Sequence, residues 1–320
     1  MFCELIEKIN SSKKIAIFNH TNPDGDALGS AFGLKLCLLA LGKQADVFLR
    51  EGDDLTKEYK LLKGTESQGL SIKDCDLKIA VDCADLERLG AFSADFVGET
   101  AAIDHHVTHK SFANTTIVVP SAPATGEIIF DLAKAMGVSL THDIAYNLYL
   151  AIVCDTGSFK FSSTTPKTHI AAAELMETGI NIADMTKKLF DTKTPEYLAM
   201  YKKGIENLEL FSNGKVALLA FCENDFADAG LTEADADAIV NLPNSIQGAE
   251  VGVYIRQRED GFKVSLRSNS ILDVSKIAVH FGGGGHERAS GFTLKMPLDE
   301  VKKIVTDKLE SELNAQPMEK

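Results

Sequence analysis

The sequence lacks any apolar run long enough to span a membrane, and it lacks a closely spaced cysteine pair of the CxxC kind. Its six cysteines are scattered along the chain, at Cys3, Cys37, Cys75, Cys83, Cys154 and Cys222. This spacing disfavours disulfides and a zinc ribbon, so we expect a reducing, cytoplasmic environment. The N-terminal segment MFCELIEKINSSKK carries acidic residues in an amphipathic pattern, so it does not predict a signal peptide. No membrane partner is therefore expected.

Positive charge is also scarce, with 33 Lys and Arg against 46 Asp and Glu, which gives a net charge of −13. Tight binding of long duplex nucleic acid depends on many contacts from Lys and Arg to phosphates, and this balance disfavours it. A small anionic substrate is not excluded, because bound divalent cations would make a pocket locally positive. The charge therefore favours short or mononucleotide-like ligands over genomic DNA.

The first half of the chain alternates apolar, strand-like runs with segments of helical periodicity. Strand-like runs occur at 14–19, 77–82 and 101–106, and helical patterns at 27–42 and 142–153. This alternation predicts an α/β domain built on a parallel sheet with helices on both faces. We assign residues 1–190 to this domain.

The second half has a different pattern. Residues 191–213 are polar and helical in period, and we interpret them as a connecting helix or linker. Alternating runs at 249–257 and 262–268 flank Glu-Asp-Gly, which is typical of a β-hairpin. We therefore expect a smaller α/β domain with a mixed sheet over 214–320.

Two short polar loops in the first domain concentrate metal-binding residue types. The first contains His20, Asp24 and Asp26, and the second is Asp104-His105-His106. Carboxylates together with imidazoles suit divalent metals, and two such clusters suggest two ions in one site. Taken alone, the first loop is equally consistent with a turn that caps the next helix through Asp26. In the second, one histidine can bind metal while the other faces substrate, with Asp104 orienting an imidazole.

Asp82 and Asp155 also follow apolar runs. Asp82 ends a strand, and one carboxylate bridging two cations is common in two-metal sites. Asp155 is expected to lie inside the protein, where a metal would offset the cost of a buried carboxylate. In isolation, a turn acid or a helix C-terminal residue explains each position. Because sites in parallel sheets form at the carboxyl ends of strands, we expect these residues to converge with the two loops.

The second domain contains the glycine-rich segment FGGGGHERASG (281–291). Its backbone N–H groups can form an anion-binding nest to which His286 adds a donor, although a flexible loop has the same composition. Arg267 is a second candidate for contact with an anion, whereas Arg256 and Arg288 are expected to be solvated. Four further histidines match no cluster, and we assign surface or structural roles to His109, His142, His169 and His280.

The motifs HTNPDGDALGS, VDCAD, DHH, CDTGSF and GGGGHERASG occur in the order found in the DHH phosphoesterase superfamily, which the chain resembles over essentially its whole length. The C-terminal part is similar to the DHH-associated domain. The compact two-domain length resembles the branch of nano-RNases (oligoribonucleases) that are also pAp phosphatases. The resemblance implies a cytoplasmic hydrolase acting on short RNA and on 3′-phosphoadenosine 5′-phosphate (pAp). It also implies two divalent cations, and the imidazole ligands favour Mn²⁺ over Mg²⁺.

The resemblance also assigns roles to individual residues. One manganese ion would be held by His20, Asp24 and Asp82. The other would be held by Asp26, Asp82, His105 and Asp155, so that Asp82 bridges the two ions. His106 would face the scissile phosphate. The far end of the substrate would be held from the second domain by Arg267, Gly283, Gly284, Gly285 and His286.

Several alternatives share this catalytic half. Hydrolysis of linear pApA or cyclic di-AMP stays open, and so does a RecJ-like exonuclease activity. A function of a different class is a nucleotide- or RNA-binding module without turnover, which the intact ligand motifs disfavour. The sequence decides neither the preferred substrate, nor the metal, nor the cleavage polarity, nor the oligomeric state, for which a homodimer is one option.

Overall fold

The computed structural model describes residues 1–51, 58–227 and 239–315. The chain divides into two compact units, Met1–Thr192 and Lys193–Lys320. Within the described residues, every helix is too short or too polar to cross a membrane.

The first unit is built on a parallel sheet, as the alternating sequence pattern predicts. The strands are β1 (Lys14–Phe18), β2 (Gln44–Phe48), β3 (Leu77–Val81), β4 (Thr100–Asp104) and β5 (Thr115–Val118). They lie in the order β2-β1-β3-β4-β5, and each neighbouring pair is parallel. Because both faces of the sheet are covered, the central strands β3 and β4 are buried along their whole length.

Helical segments cover the two faces of this sheet. The α-helices are α1 (Cys3–Ser11), α2 (Gly25–Ala40), α3 (Thr125–Ala135), α4 (His142–Asp155), α5 (Pro166–Met176) and α6 (Ile182–Thr186). Shorter 3₁₀ or π segments span Tyr59–Leu61, Ile72–Asp74, Glu87–Ala94 and Lys187–Asp191. Ile15 and Ile79 face the core shared with the α-helices. Phe18 and Ala80 face the opposite core, which contains Leu89 of the segment Glu87–Ala94.

Glycines let the start of α2 approach α4 closely. A Cβ atom added to Gly29 would lie 2.6 Å from the carbonyl oxygen of Asn147, and one added to Gly25 would lie 2.3 Å from Cys154 Sγ. Only residues without a side chain permit this spacing. The N-terminus of α2 is therefore held against the end of α4, where Asp155 is the last helical residue.

The second unit contains the predicted mixed sheet. Its strands are β6 (Leu208–Phe211), β7 (Val216–Phe221), β8 (Val251–Arg258), β9 (Gly261–Ser268), β10 (Gly284–His286) and β11 (Ala289–Leu294). Their order is β10-β11-β9-β8-β7-β6. The β7–β8 pair is parallel and the other pairs are antiparallel. Strands β8 and β9 form the predicted hairpin, with its turn at residues 259–260.

Helices pack on both faces of the second sheet. They are α7 (Pro195–Glu206), α8 (Glu223–Ala227), α9 (Val274–His280) and α10 (Leu298–Ala315), with 3₁₀ turns at Ser212–Gly214 and Pro243–Ser245. One core joins Val264 of β9 to Ile277 and Val305, and the other joins Tyr254 of β8 to Met200 of α7. The predicted connecting segment 191–213 contains α7 and also edge strand β6, which pairs with β7. The sequence pattern did not predict this strand.

Candidate metal centre

The acidic and histidine residues of the first unit gather at the carboxyl ends of the parallel strands, where such sheets place their sites. His20 is the second residue after β1, Asp82 comes directly after β3, and Asp104 is the last residue of β4. Asp26 lies in the first turn of α2, and Asp155 ends α4. The structure therefore confirms that these separate segments converge, as the sequence predicted.

A first group of possible ligands consists of His20, Asp24 and Asp82, whose coordinating atoms lie within 4.8 Å of one another. His20 Nε2 is 3.7 Å from Asp82 Oδ2. The other ring nitrogen, Nδ1, lies 2.8 Å from the carbonyl oxygen of Thr21 and donates its proton there. That hydrogen bond leaves the Nε2 lone pair pointing at the carboxylates, which is the tautomer a metal ligand needs.

A second group consists of Asp26, His105 and Asp155, again with coordinating atoms within 4.8 Å. His105 Nε2 is 3.9 Å from Asp26 Oδ2 and 3.6 Å from Asp155 Oδ2. Its Nδ1 lies 3.2 Å from the carbonyl oxygen of Ala122. If Nδ1 donates to this carbonyl oxygen, the lone pair of His105 Nε2 faces the carboxylates of Asp26 and Asp155.

Asp82 stands between the two groups. Its Oδ2 faces His20, while its Oδ1 lies 3.6 Å from His105 Nε2. Its backbone has a φ of 56°, which is uncommon for a residue with a side chain and occurs where the surrounding structure fixes it. Thr125 Oγ1 also donates to Asp82 Oδ1 at 2.9 Å. One side chain is therefore positioned to serve both groups.

The N-terminus of α3 supports Asp26. The backbone N–H groups of Thr125 and Gly126 donate to the two Asp26 oxygens at 2.7 and 3.0 Å, and Ser30 Oγ donates at 2.9 Å. Thr125 and Ser30 were not predicted from the sequence, because a threonine at a helix start signals only a helix start. The alternative in which Asp26 caps α2 is wrong. Asp24 caps α2 by accepting from the N–H groups of residues 26 and 27.

The carboxylates of this centre repel one another when no cation is bound. Burial raises the pKa of Asp26 well above its ordinary value, and the charges of Asp82 and Asp155 raise it further. Burial also raises the pKa of Asp82, and it raises that of Asp155 to about 6, with Asp24 adding repulsion in both cases. Protons and divalent cations therefore compete for the same oxygens.

The residues present fit divalent metals. Imidazole lone pairs face carboxylate oxygens at 3.6–3.9 Å, so acceptor atoms face acceptor atoms without a shared proton. Cations stabilise such an arrangement, and a mixed set of imidazoles and carboxylates suits Mn²⁺ or Mg²⁺ better than soft metals.

Asp104 and His106 lie beside the two groups. His106 Nδ1 donates to Asp104 Oδ1 at 2.7 Å, so Asp104 orients His106 as the sequence analysis suggested. Burial opposes the charged form of Asp104, but hydrogen bonds from His106 and His109 outweigh it and lower its pKa to about 2. The hydrogen bond to Asp104 raises the pKa of His106. His109, assigned a surface or structural role from the sequence, is buried here and donates to Asp104 Oδ2 at 2.7 Å.

Arg88 is a further basic residue near this centre that the sequence analysis missed. Its carbonyl oxygen accepts from the N–H of Thr21 at 2.8 Å, which ties it to the loop that follows His20. Its charge opposes protonation of His106 and lowers the pKa of that ring in part. Across residues 1–51, 58–227 and 239–315, the half-buried guanidinium makes no hydrogen bond or ion pair.

The second unit places its candidate residues side by side on one sheet. Ala289 of β11 is opposite Arg267 of β9 on one side and opposite His286 of β10 on the other. Directly opposed residues of antiparallel strands point to the same face, so a small residue separates the two basic ones. Arg267 is half-buried and donates only to the carbonyl oxygen of Leu266 in the described contacts, while His286 is exposed. We call Arg267, Ala289 and His286 the cationic row.

The glycine segment is more ordered than a loop. The N–H groups of Gly282 and Gly283 donate to carbonyl oxygens at the end of α9, while Gly284 and Gly285 belong to exposed strand β10. Only the last two therefore keep the option of backbone contact with an anion. A Cβ atom on Gly283 would lie 2.2 Å from the carbonyl oxygen of Gly291, so close packing requires glycine there.

The two arginines that were expected to be solvated differ from each other. Arg256 is only 2% exposed, so the expectation was wrong for it. It lies in β8, and burial follows from the central position of that strand. Arg288 is exposed, and its guanidinium also bonds Ser268 and the carbonyl oxygen of Leu272.

Both units of the chain match domains of known proteins. Residues 14–152 match the DHH family, N-terminal domain, and residues 213–315 match the DHHA1 domain. The chain belongs to the DHH family, as its motifs indicated. It is 35% identical over 308 residues to the bifunctional oligoribonuclease and PAP phosphatase NrnA of Thermus thermophilus. That alignment covers 93% of this chain and 90% of the relative.

Solved structures share the fold. The crystal structure of an exopolyphosphatase-related protein from Bacteroides fragilis has a TM-score of 0.88 and 25% identity, and it covers 97% of this chain and 96% of that one. RecJ of Thermus thermophilus, in complex with Mn²⁺, has a TM-score of 0.52 and 14% identity. That match covers 98% of this chain and 54% of RecJ.

Proposed function

We propose that this protein is a two-metal phosphoesterase that hydrolyses short oligoribonucleotides and pAp. The observation that carries the two-metal site is the position of Asp82, whose two oxygens face His20 and His105 in separate ligand groups. The named activities of the Thermus relative, which is similar over nearly the whole chain, support the substrate class.

Two divalent cations in these groups would polarise the phosphate and lower the pKa of a water that attacks it. We assign His20, Asp24 and Asp82 to one ion, and Asp26, His105 and Asp155 with Asp82 to the other. We expect Mn²⁺ to serve better than Mg²⁺, because imidazoles take part in both groups.

The protein groups around the metals would handle substrate and protons. His106 donates through Nδ1 to Asp104, so its Nε2 is the atom left for the phosphate or the leaving oxygen. Its ring is one-third exposed, which permits such contact. The hydrogen bond to Asp104 raises the pKa of His106 and so favours the protonated ring, which can donate to a developing alkoxide. Arg88 would add positive charge on the same side.

We assign substrate holding to the second unit, through Arg267, His286 and the glycines Gly284 and Gly285, and we leave out Gly283 because its N–H already donates to the carbonyl oxygen of Ala278. The cationic row offers two donors across a small residue, which suits a phosphate. Accordingly we divide the chain into a catalytic domain (1–190) and a substrate-binding domain (214–320), connected by residues 191–213, most of which pack with the second unit. The six free cysteines support a cytoplasmic location, and the partners would be short RNA or a small nucleotide.

A turnover panel tests this function. The full-length protein is assayed with Mn²⁺ or Mg²⁺ on pAp, on 5′-phosphorylated RNA of two to five nucleotides, on pApA, on cyclic di-AMP and on pyrophosphate. We expect fastest turnover of the shortest RNA and of pAp, and complete loss after chelation. Activity that survives chelation, or no turnover on any substrate, contradicts the proposal. Equal rates on a two-nucleotide and a twenty-nucleotide RNA would favour a RecJ-like exonuclease instead.

A further inference from the structure

His109 belongs to none of the motifs that define the catalytic centre, yet it is built into it. The backbone N–H of His109 donates to the carbonyl oxygen of His106 at 3.1 Å, which closes a turn over residues 106–109. The next residue is anchored as well, because the N–H of Lys110 donates to the carbonyl oxygen of Ala84 at 2.7 Å. The chain thus folds back and returns His109 to the carboxylate at the start of the same loop.

The two oxygens of Asp104 have different partners. Oδ1 accepts from the N–H groups of His105 and His106 at 2.8 and 3.3 Å, and from His106 Nδ1 at 2.7 Å. Oδ2 accepts from His109 Nδ1 at 2.7 Å. The Asp104 side chain is fully buried, so water cannot replace a missing donor at either oxygen. Among the described contacts, His109 is the side chain that holds Oδ2.

The surroundings of His109 hold its ring in place. Its side chain is 3% exposed, and its Nε2 is buried with no hydrogen-bond partner in the described part of the chain. The ring packs against Phe112, with centroids 5.3 Å apart. The hydrogen bond from Nδ1 to Asp104 and the contact with Phe112 together fix the orientation of the ring.

We propose that His109 is a positioning residue for His106: its Nδ1–H holds Asp104 Oδ2, so that Oδ1 accepts the hydrogen bond from His106 Nδ1 and His106 Nε2 is left directed toward the substrate. This inference rests on the proposed function for the role of His106, but the hydrogen-bond geometry is independent of it.

Three substitutions of His109 distinguish a role as hydrogen-bond donor to Asp104 from a role in packing alone. Asparagine carries its amide nitrogen on Cγ, the same branch that carries Nδ1 in histidine, so His109→Asn retains the donor. Glutamine places the amide one bond farther out, and His109→Leu has the branching but no donor. With Mn²⁺ and a 5′-phosphorylated two-nucleotide RNA, we expect His109→Leu to lower kcat about 10- to 100-fold with KM and metal content nearly unchanged. His109→Asn should stay within about 3-fold of wild type, and His109→Gln should resemble the leucine variant.

A second measurement needs no activity. Long-range ¹H–¹⁵N spectra of the metal-free, full-length protein in alkaline buffer report which nitrogen of each neutral histidine carries the proton, and a His106→Gln spectrum assigns the His106 signals. Wild type and His109→Asn should show His106 protonated at Nδ1, and His109→Leu should show a mixture of tautomers. If wild type turns over no substrate, the proposed function fails while this measurement still tests the positioning role.

A double-mutant cycle closes the test. In a His106→Ala background, His109→Leu should cause no further loss, since it acts through His106. The proposal is overturned if the losses multiply in full, if His109→Asn is as impaired as His109→Leu, or if His109→Leu leaves both the His106 tautomer and kcat at wild-type values. Should the leucine variant fail to fold, the contrast between asparagine and glutamine decides the question alone.

Discussion

The metal centre of the first unit and the cationic row of the second unit are constructed in opposite ways. Asp26, Asp82 and Asp104 are nearly inaccessible to solvent. Thr125, from a distant segment, donates to Asp26 and Asp82, and the histidines of its own loop donate to Asp104. The cationic row lies partly open, and the small residue Ala289 separates Arg267 from His286. The first arrangement fixes atoms, as metal chemistry requires, and the second leaves room, as binding of a variable substrate requires. Damage to the first should appear in kcat and metal content, and damage to the second in KM.

The largest effect is expected from Asp82→Ala. One carboxylate faces both ligand groups, so its loss should lower kcat by about 10³-fold or more and reduce bound metal below two ions per chain. Asp85→Asn is the matched control, since Asp85 caps the turn at Arg88 and faces neither group. Steady-state kinetics with metal analysis of the purified protein measures both effects. A variant that keeps two tightly bound ions shows that Asp82 is not the bridge.

Arg267→Ala tests the other side of the comparison. Loss of a guanidinium contact to phosphate should raise KM about 10- to 100-fold with kcat and metal content close to wild type. His286→Ala should act in the same direction but less. Lys263→Ala provides the control, because Lys263 is an exposed cation on the same face of β9. If Arg267→Ala strips a metal, or if both variants behave as wild type, the second unit does not hold the substrate in this way.

Thr125→Val tests whether the hydroxyl donor to Asp82 contributes to metal binding in the first unit. It removes the hydroxyl that donates to Asp82 and keeps the N–H that donates to Asp26. We expect metal affinity to fall about 10-fold, while Thr125→Ser remains near wild type. Isothermal titration with Mn²⁺ measures the affinity. Equal affinity in the valine variant would mean that the hydroxyl only fills space.

The smallest expected effect is a pH dependence confined to the first unit. Burial raises the pKa of Asp155 to about 6 in the folded, metal-free protein, above its value of 3.8 in an unfolded chain. The folded state then binds more protons, so the stability from this group is present below about pH 4 and is lost as pH rises through about 6. Metal affinity should rise over the same range, because protons no longer compete.

Thermal unfolding with and without Mn²⁺ checks this prediction. The Tm of the metal-free protein should fall by a few degrees between pH 4 and 7, and Asp155→Asn should flatten that decline. Asp143→Asn, at the exposed opposite end of α4, should leave the slope unchanged. A wild-type Tm that rises over this interval without metal, with no difference for Asp155→Asn, would contradict the assignment.

Some features were predictable because their signals are local. Alternating apolar and helical periods predicted the parallel sheet, and Glu-Asp-Gly between alternating runs predicted the β8–β9 hairpin. Edge strand β6 was missed, because its four residues carry little pattern and its pairing with β7 decides its conformation. The burial of Arg256 was not predicted for a related reason. The residues of a strand do not show whether that strand lies at the centre or at the edge of its sheet.

By itself, the sequence determined the ligand types and their places at the ends of strands, because carboxylates and imidazoles recur after apolar runs in several separate segments. Tertiary structure alone decided which groups meet. Thr125 donates to Asp26 from 99 residues away, and His109 returns to Asp104 through a turn that no motif contains. Hydrogen-bond partners are chosen by burial and by the close approach of distant segments, and those depend on how the whole domain packs.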